Sequence, residues 1–361
     1  MNNDSFINSD AYSDILDDIK EKIKKGNIII FLGAGFSAPL GYPTAQNLSE
    51  SLCNKYKINI NYNLPETVDY LIKNKNIKKC DIIKFISELI KPDEGKINNN
   101  PYHILREIID ENKSESKIFI FTTNWDNEIN SAFDGISYII KNKRDYVDYE
   151  NNLKNNINAK VIIIKLHGDI NDEKNFDDII ITEDDIKKNV YGNQQIYNIL
   201  SGAIGNNIVL FMGYSLKDPE IENIYKTMRS GVSKPLDYFV TLDVDDNNTG
   251  PINIVSGMDS FNFMSDLYFK ITNNIYLKNI EFELDETIKK ELTNNKPIII
   301  CGAKYTGKTM MKIRLFNELR NHNYNVLGTI PIAGPRVITD FFSISRIGYY
   351  FFLMITVIKE I

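Results

Sequence analysis

The chain has 361 residues, 43% hydrophobic and 25% charged, with a formal net charge of −6. That is the composition of an ordinary soluble protein of about two domains, and it excludes a broadly basic nucleic-acid binder. Its three cysteines, Cys53, Cys80 and Cys301, form no C-x-x-C pair, which excludes a four-cysteine zinc site and a disulfide framework and fits a reducing cytoplasm.

The N-terminus, Met1-Asn2-Asn3-Asp4, is polar and acidic, unlike a signal peptide. Residues 11–25 predict an amphipathic helix with Ile15, Ile19 and Ile23 at four-residue steps. An apolar run of strand length, Ile28–Leu32, then breaks at two glycines and leads into a helix start. Gly33, Gly35 and Ala38 fit G-x-G-x-x-G/A, in which glycines let the backbone approach a pyrophosphate. Residues 64–90 read as helical, residues 93–100 as a loop rich in Asn and charge, and Pro101 opens a helix through Ile109 with Leu105 and Ile108 on its buried side. His103 and His322, both on expected helices, take structural roles.

Three further apolar runs read as buried parallel strands: Lys117–Phe121, Val161–Leu166 and Ile208–Met212, with Tyr238–Leu242 as another candidate. Ligands in an open parallel sheet bind outside the carboxyl ends of the strands, so the motifs that follow these runs converge on one crevice. After the first comes Thr122-Thr123-Asn124-Trp125-Asp126. Asn124 can hold a ribose hydroxyl or a water, Asp126 can accept from a ribose hydroxyl or cap the next helix, and Trp125, the only tryptophan, reads as core. After the second comes His167-Gly168-Asp169, where His167 can act as a general base or bond a sugar hydroxyl. After the third comes Gly213-Tyr214-Ser215, where Gly213 permits close approach and Ser215 can bind a phosphate or ribose; Asp218-Pro219 reads as a helix N-cap and its first residue.

Taken in order, Gly33-Ala34-Gly35-Phe36-Ser37, Thr122-Thr123-Asn124-Trp125-Asp126, Leu166-His167-Gly168 and Gly213-Tyr214-Ser215 resemble the motifs of the sirtuin fold. The variants are similar to the sirtuin-like domains of bacterial anti-phage defence proteins, over roughly residues 10–270. The resemblance implies an α/β fold, a Rossmann-like parallel sheet with helices on both faces, and NAD as substrate. It implies NAD contacts from Gly33, Ala34, Gly35, Phe36, Ser37, Asp126, Gly213 and Ser215, with Asn124 and His167 catalytic. Two departures stand out. The zinc module of the deacylases is missing, and Ala45-Gln46 stand where deacylases carry a Phe-Arg pair. Together they point to NAD hydrolysis, giving nicotinamide and ADP-ribose, rather than deacylation. A protein deacylase and a silent NAD- or ADP-ribose-binding module are the alternatives.

The chain carries a second nucleotide signature. Ile298–Cys301 leads into Gly302-Ala303-Lys304-Tyr305-Thr306-Gly307-Lys308-Thr309, a P-loop pattern in which Gly302, Gly307, Lys308 and Thr309 would hold ATP and Mg²⁺. Only some fifty residues follow, without a clear Walker-B carboxylate, so this reads as an incomplete P-loop α/β unit that does not hydrolyse ATP. The apolar tail Ile347–Ile358 is too short to span a membrane. The expected organisation is a sirtuin-like domain over 1–275, a linker over 276–296 and a partial P-loop domain over 297–361. The resemblance further implies self-association and a phage-derived trigger or sensor as partner.

Overall fold

The computed structural model describes residues 9–272, apart from residues 61, 94, 97–99, 113–115, 154–157, 172–175, 177, 193, 216–217, 233–235 and 243–251, together with the backbone of residues 298–303, 325–333 and 350–358. Contacts divide the chain into two units, Met1–Tyr276 and Leu277–Ile361.

The first unit is built on seven strands: β1 (Ile28–Leu32), β2 (Ile118–Thr122), β3 (Ser137–Ile140), β4 (Val161–Lys165), β5 (Ile208–Met212), β6 (Asp237–Thr241) and β7 (Ile252–Ser256). Their spatial order is β3-β4-β2-β1-β5-β6-β7, and every pair is parallel. All seven carboxyl ends therefore lie on one edge. The chain order reverses at β1, with β2 on one side and β5 on the other, which makes this edge the topological switch point where such sheets bind ligands. The expected Rossmann-like class is the fold observed.

Continuous apolar runs form the central strands because both sheet faces are covered. Ile28, Ile30 and Leu32 point into one core with Leu16, Ile19 and Ile23 of the first helix (Ser9–Lys25) and Leu105 and Ile108 of the helix Pro101–Glu111. Ile29 and Phe31 point into the opposite core with Phe121, Phe211 and the helices Gln194–Asn206 and Pro219–Met228. Each β1 residue is at most 2% exposed, and at about 1.5–3 kcal/mol per buried large side chain this strand anchors both layers.

A third core belongs to a helical cap of Ala45–Tyr56, Leu64–Lys75 and Lys79–Leu89, whose Leu48, Leu52, Val68 and Ile83 meet Ile170, Ile179 and Ile181 beyond β4. The sequence reads 64–90 as helical, and the structure forms two helices there. Asn76 adopts left-handed φ 51 as C-cap, which ends the first of them. The cap's first two helices open with reciprocal capping boxes, Thr44 with Asn47 and Asn63 with Glu66. β3 and β7 went unread in the sequence because both are mostly half-exposed edge strands.

In the second unit, three strands, β8 (Ile298–Ala303), β9 (Asn325–Ala333) and β10 (Tyr350–Ile358), form a sheet ordered β8-β10-β9 with antiparallel pairing throughout. This differs from the parallel sheet of a P-loop unit. Gly302 lies in β8, whereas Gly307, Lys308, Thr309, His322 and the linker 276–296 lie outside the described residues. Among the described residues, no helix is long and apolar enough to cross a membrane, and no cluster of three or more His, Cys, Asp or Glu could hold a metal ion.

Candidate active site

Six of the seven strand ends contribute to one recess, β7 through Met258, Asp259 and Ser260. A cleft of about 910 Å³ runs past Ala34 and Gly35 after β1, His167 after β4, Gly213, Ser215 and Asp218 after β5, and Thr241 at the end of β6. A cavity of about 220 Å³ adjoins it under the cap, lined by Ser37, Asn124, Trp125, Asp126 and His167 on one side and by Leu48, Leu64 and Ile181 on the other. Ala34, Thr123 and His167 border both spaces.

The two glycine motifs close on each other. Gly35 N–H donates to Gly213 O at 2.8 Å and Gly33 N–H to Met212 O at 3.1 Å. A Cβ on Gly33 would lie 2.5 Å from Gly213 O, and one on Gly213 only 2.1 Å from Phe36 N. Gly213 also holds φ +61, a region that disfavours any side chain. The glycines are thus required for the β1 and β5 loops to touch, whatever ligand they face. Gly33 and Phe36 line neither space. Phe36 is fully buried, edge-on to Tyr102 with ring centroids 4.7 Å apart.

Asn124 is 6% exposed. Its Nδ2 donates to Gly33 O at 2.9 Å, and lies 3.1 Å from Tyr102 Oη and 3.2 Å from Ser37 Oγ. Gly33 O can only accept, so the amide nitrogen must face it and Oδ1 must face away. That Oδ1 is buried with no partner among the described residues. An orphaned buried acceptor costs roughly 1–3 kcal/mol, so this oxygen is open to a donor such as a water or a hydroxyl.

Asp126 Oδ2 accepts from Ser37 Oγ at 2.8 Å, and its Oδ1 accepts from Glu128 N–H at 3.1 Å, a local cap. Burial pushes the Asp126 carboxyl up, against the opposing pull of Lys165 and these donors. Burial likewise raises the Tyr102 phenol, with Asp126 adding to it, so Tyr102 stays a neutral hydroxyl.

Lys165 explains how this loop is held. It ends β4 and is 1% exposed. Its Nζ donates to Asp126 O at 2.6 Å and Trp125 O at 3.3 Å, and pairs with Asp169 Oδ2 at 3.0 Å. Three acceptors around one nitrogen fit an ammonium with three hydrogens. Burial alone would raise the Asp169 carboxyl, but Lys165, Asn130 and the Asn171 N–H together hold it below its usual range. Sequence reading passed over Lys165, inside the run Val161–Leu166; a lysine within a strand buried on both faces was the available signal.

His167 is held from three directions. Trp125 Nε1–H and Ile180 N–H donate to its carbonyl at 3.1 and 3.2 Å, and its Nε2 lies 3.0 Å from Asp218 Oδ2. Trp125, expected as core, is half-buried and forms a wall of the cavity. Asp218 caps its helix as expected, accepting from Glu220 N–H and Ile221 N–H at Oδ1. Its contact with His167 is the role sequence reading missed.

Four strand-end motifs thus meet around the Asn124 amide oxygen and His167. Residues 118–251 match the SIR2-like domain. They cover the strand ends carrying Asn124, His167 and Gly213. Two curated relatives are each named NAD(+) hydrolase ThsA. The one from Enterococcus faecium is 28% identical over 211 residues, 58% of this chain and 41% of the relative. The one from Acinetobacter baumannii is 25% identical over 224 residues, 60% and 42% respectively. This chain thus spans about two fifths of the length of the curated relatives it matches. A solved structure from work on the mechanism and regulation of Sir2 enzymes aligns at 13% identity and a TM-score of 0.42, covering 72% of this chain and 97% of that one.

Proposed function

We propose that the first unit is an NAD⁺ hydrolase that breaks the nicotinamide–ribose bond and delivers water to the ribose carbon. The observation that carries this reading is the orphaned Oδ1 of Asn124, which faces away from the glycine loop at a site bordered by His167. The relatives named NAD(+) hydrolase support it.

NAD⁺ and water give ADP-ribose, nicotinamide and a proton. Nicotinamide leaves as a neutral base, so the site needs no strong acid; it needs a fixed ribose and a placed water. In this reading Asn124 Oδ1 accepts from the water or a ribose hydroxyl, and His167 takes the proton that the water loses. Ser37 and Asp126 hold the ribose side of the site, and Ala34, Gly35, Gly213 and Ser215 border the phosphate-bearing part of the cleft. The small apolar cavity under the cap, walled by Trp125, Leu48 and Ile181, suits the flat nicotinamide ring.

The test is nicotinamide release from NAD⁺ by the purified chain, without any peptide. Asn124→Ala should lower turnover by ~100-fold or more while the fold is retained. Wild-type release that requires an acylated peptide would overturn hydrolysis in favour of deacylation. An effector role in anti-phage defence, with self-association and a phage-derived trigger, belongs to the same proposal and rests on the motif resemblance.

A further inference from the structure

The contact between His167 and Asp218 goes beyond a shared pocket. The two residues follow different strands, and Asp218 divides its oxygens between two tasks. Oδ1 accepts the Glu220 and Ile221 N–H groups that open the helix Pro219–Met228, while Oδ2 meets His167 Nε2 at 3.0 Å. Both side chains are largely shielded, at 16% and 9% exposed. Burial alone would raise the Asp218 carboxyl, yet His167 and the two helix amides hold it below its usual range, so it is an ionised, acceptor-only group at neutral pH.

An acceptor-only partner at Nε2 forces the imidazole proton onto that nitrogen. The neutral ring then has one lone pair, on Nδ1. The main chain of His167 is fixed by Trp125 and Ile180, so ring rotation is the freedom that Asp218 removes. We propose that Asp218 is a positioning residue that fixes His167 as the Nε2–H tautomer and leaves Nδ1 as its proton-accepting atom. Its kinetic consequence rests on the hydrolase reading above; the tautomer itself does not. When His167 gains a proton from water, Asp218 then faces an imidazolium and stabilises it, while no proton passes to the carboxylate.

Asp218→Asn separates the two tasks. Asn is a good N-cap, so Oδ1 can still open the helix, but its amide now presents N–H to Nε2. The ring proton must then move to Nδ1. Ring ¹⁵N spectra of the labelled full chain, with His167→Gln identifying the signal among three histidines, should show Nε2–H in the wild type and Nδ1–H in Asp218→Asn. In NAD turnover, the variant should lose ~100-fold or more in kcat, with KM within about 3-fold. Asp218→Glu, which keeps the carboxylate on a longer stem, should keep the wild-type tautomer. A wild-type Nδ1–H tautomer overturns the proposal, and so does a variant with swapped tautomer and unchanged kcat. The wild-type spectrum decides the tautomer even if Asp218→Asn does not fold, and it does so independently of whether NAD⁺ is the substrate. A chain that shows Nε2–H but releases no nicotinamide sinks the hydrolase reading and keeps the tautomer.

Discussion

Replacing Lys165 by Met tests how the Asn124 loop is held. Met keeps the unbranched stem in its fully buried slot and deletes the ammonium. Three groups lose a donor: the carbonyls of Trp125 and Asp126, and Asp169, whose carboxylate is 4% exposed. Asp169 retains Asn130 Nδ2 at 2.8 Å and Asn171 N–H at 3.1 Å, so it is not left bare. Breaking a buried pair from one side costs about 3–5 kcal/mol, against a total domain stability of about 5–15 kcal/mol. Urea unfolding should therefore show a loss of ~3–5 kcal/mol. The single tryptophan, Trp125, lies inside the clamp, so its fluorescence should change at lower urea than far-UV circular dichroism if the loop opens first. The double variant Lys165→Met/Asp169→Asn removes the stranded charge and should recover ~1–3 kcal/mol. The pH dependence follows the same logic. With its folded carboxyl held below the unfolded value of about 3.9, Asp169 contributes stability above that pH and loses it as pH falls through the folded value. Asp169→Asn should flatten that acid limb. A loss under ~1 kcal/mol for Lys165→Met, or a double variant no better than the single, would refute the clamp.

Three further substitutions separate fold from site. Gly213→Ala should cost at least ~2 kcal/mol, because its Cβ meets backbone at 2.1 and 2.3 Å in addition to the left-handed penalty of about 1–2 kcal/mol. Gly135→Ala, at φ +78 with nothing within 4 Å, should show the left-handed penalty alone; equal thermal shifts for the two would deny the contact of the glycine loops. Arg229 forms a bidentate pair with Asp237 at 2.6 and 2.7 Å and bonds the Ile204 and Asn207 carbonyls. Asp237 begins β6, at the sheet edge opposite the cleft. Arg229→Leu should lose ~3–5 kcal/mol in urea while NAD turnover per folded molecule stays within about 2-fold of wild type; a larger kinetic loss would show that the far edge is coupled to the site.

The sequence alone determined the parallel sheet and its edge. Runs such as Ile28–Leu32 and Ile208–Met212 are apolar at every position because both faces of a central strand are covered, so they can be read without knowing their neighbours. Polar residues placed after such runs must fall at one carboxyl edge, and this is why Asn124, His167 and Ser215 could be gathered from far apart. Local chemistry was legible for the same reason: Pro101 and Asp218-Pro219 mark helix starts through bonds that span two or three residues. Edge strands, with mixed burial, gave no such pattern.

Only the tertiary structure decided which atoms those residues present. The two glycine motifs look like ligand cradles in sequence, but Gly33 and Gly213 are glycine first because the loops after β1 and β5 leave no room for a Cβ between them. Asp218 looks like a helix cap, and one of its oxygens is; the other reaches a histidine 51 residues away. Lys165 sits inside an otherwise apolar run in the sequence, yet it holds the backbone of a loop some forty residues upstream. Each of these depends on contacts between chain segments distant in sequence, and the hydrogen-bond partner of a buried group is set by where the packed strands bring it.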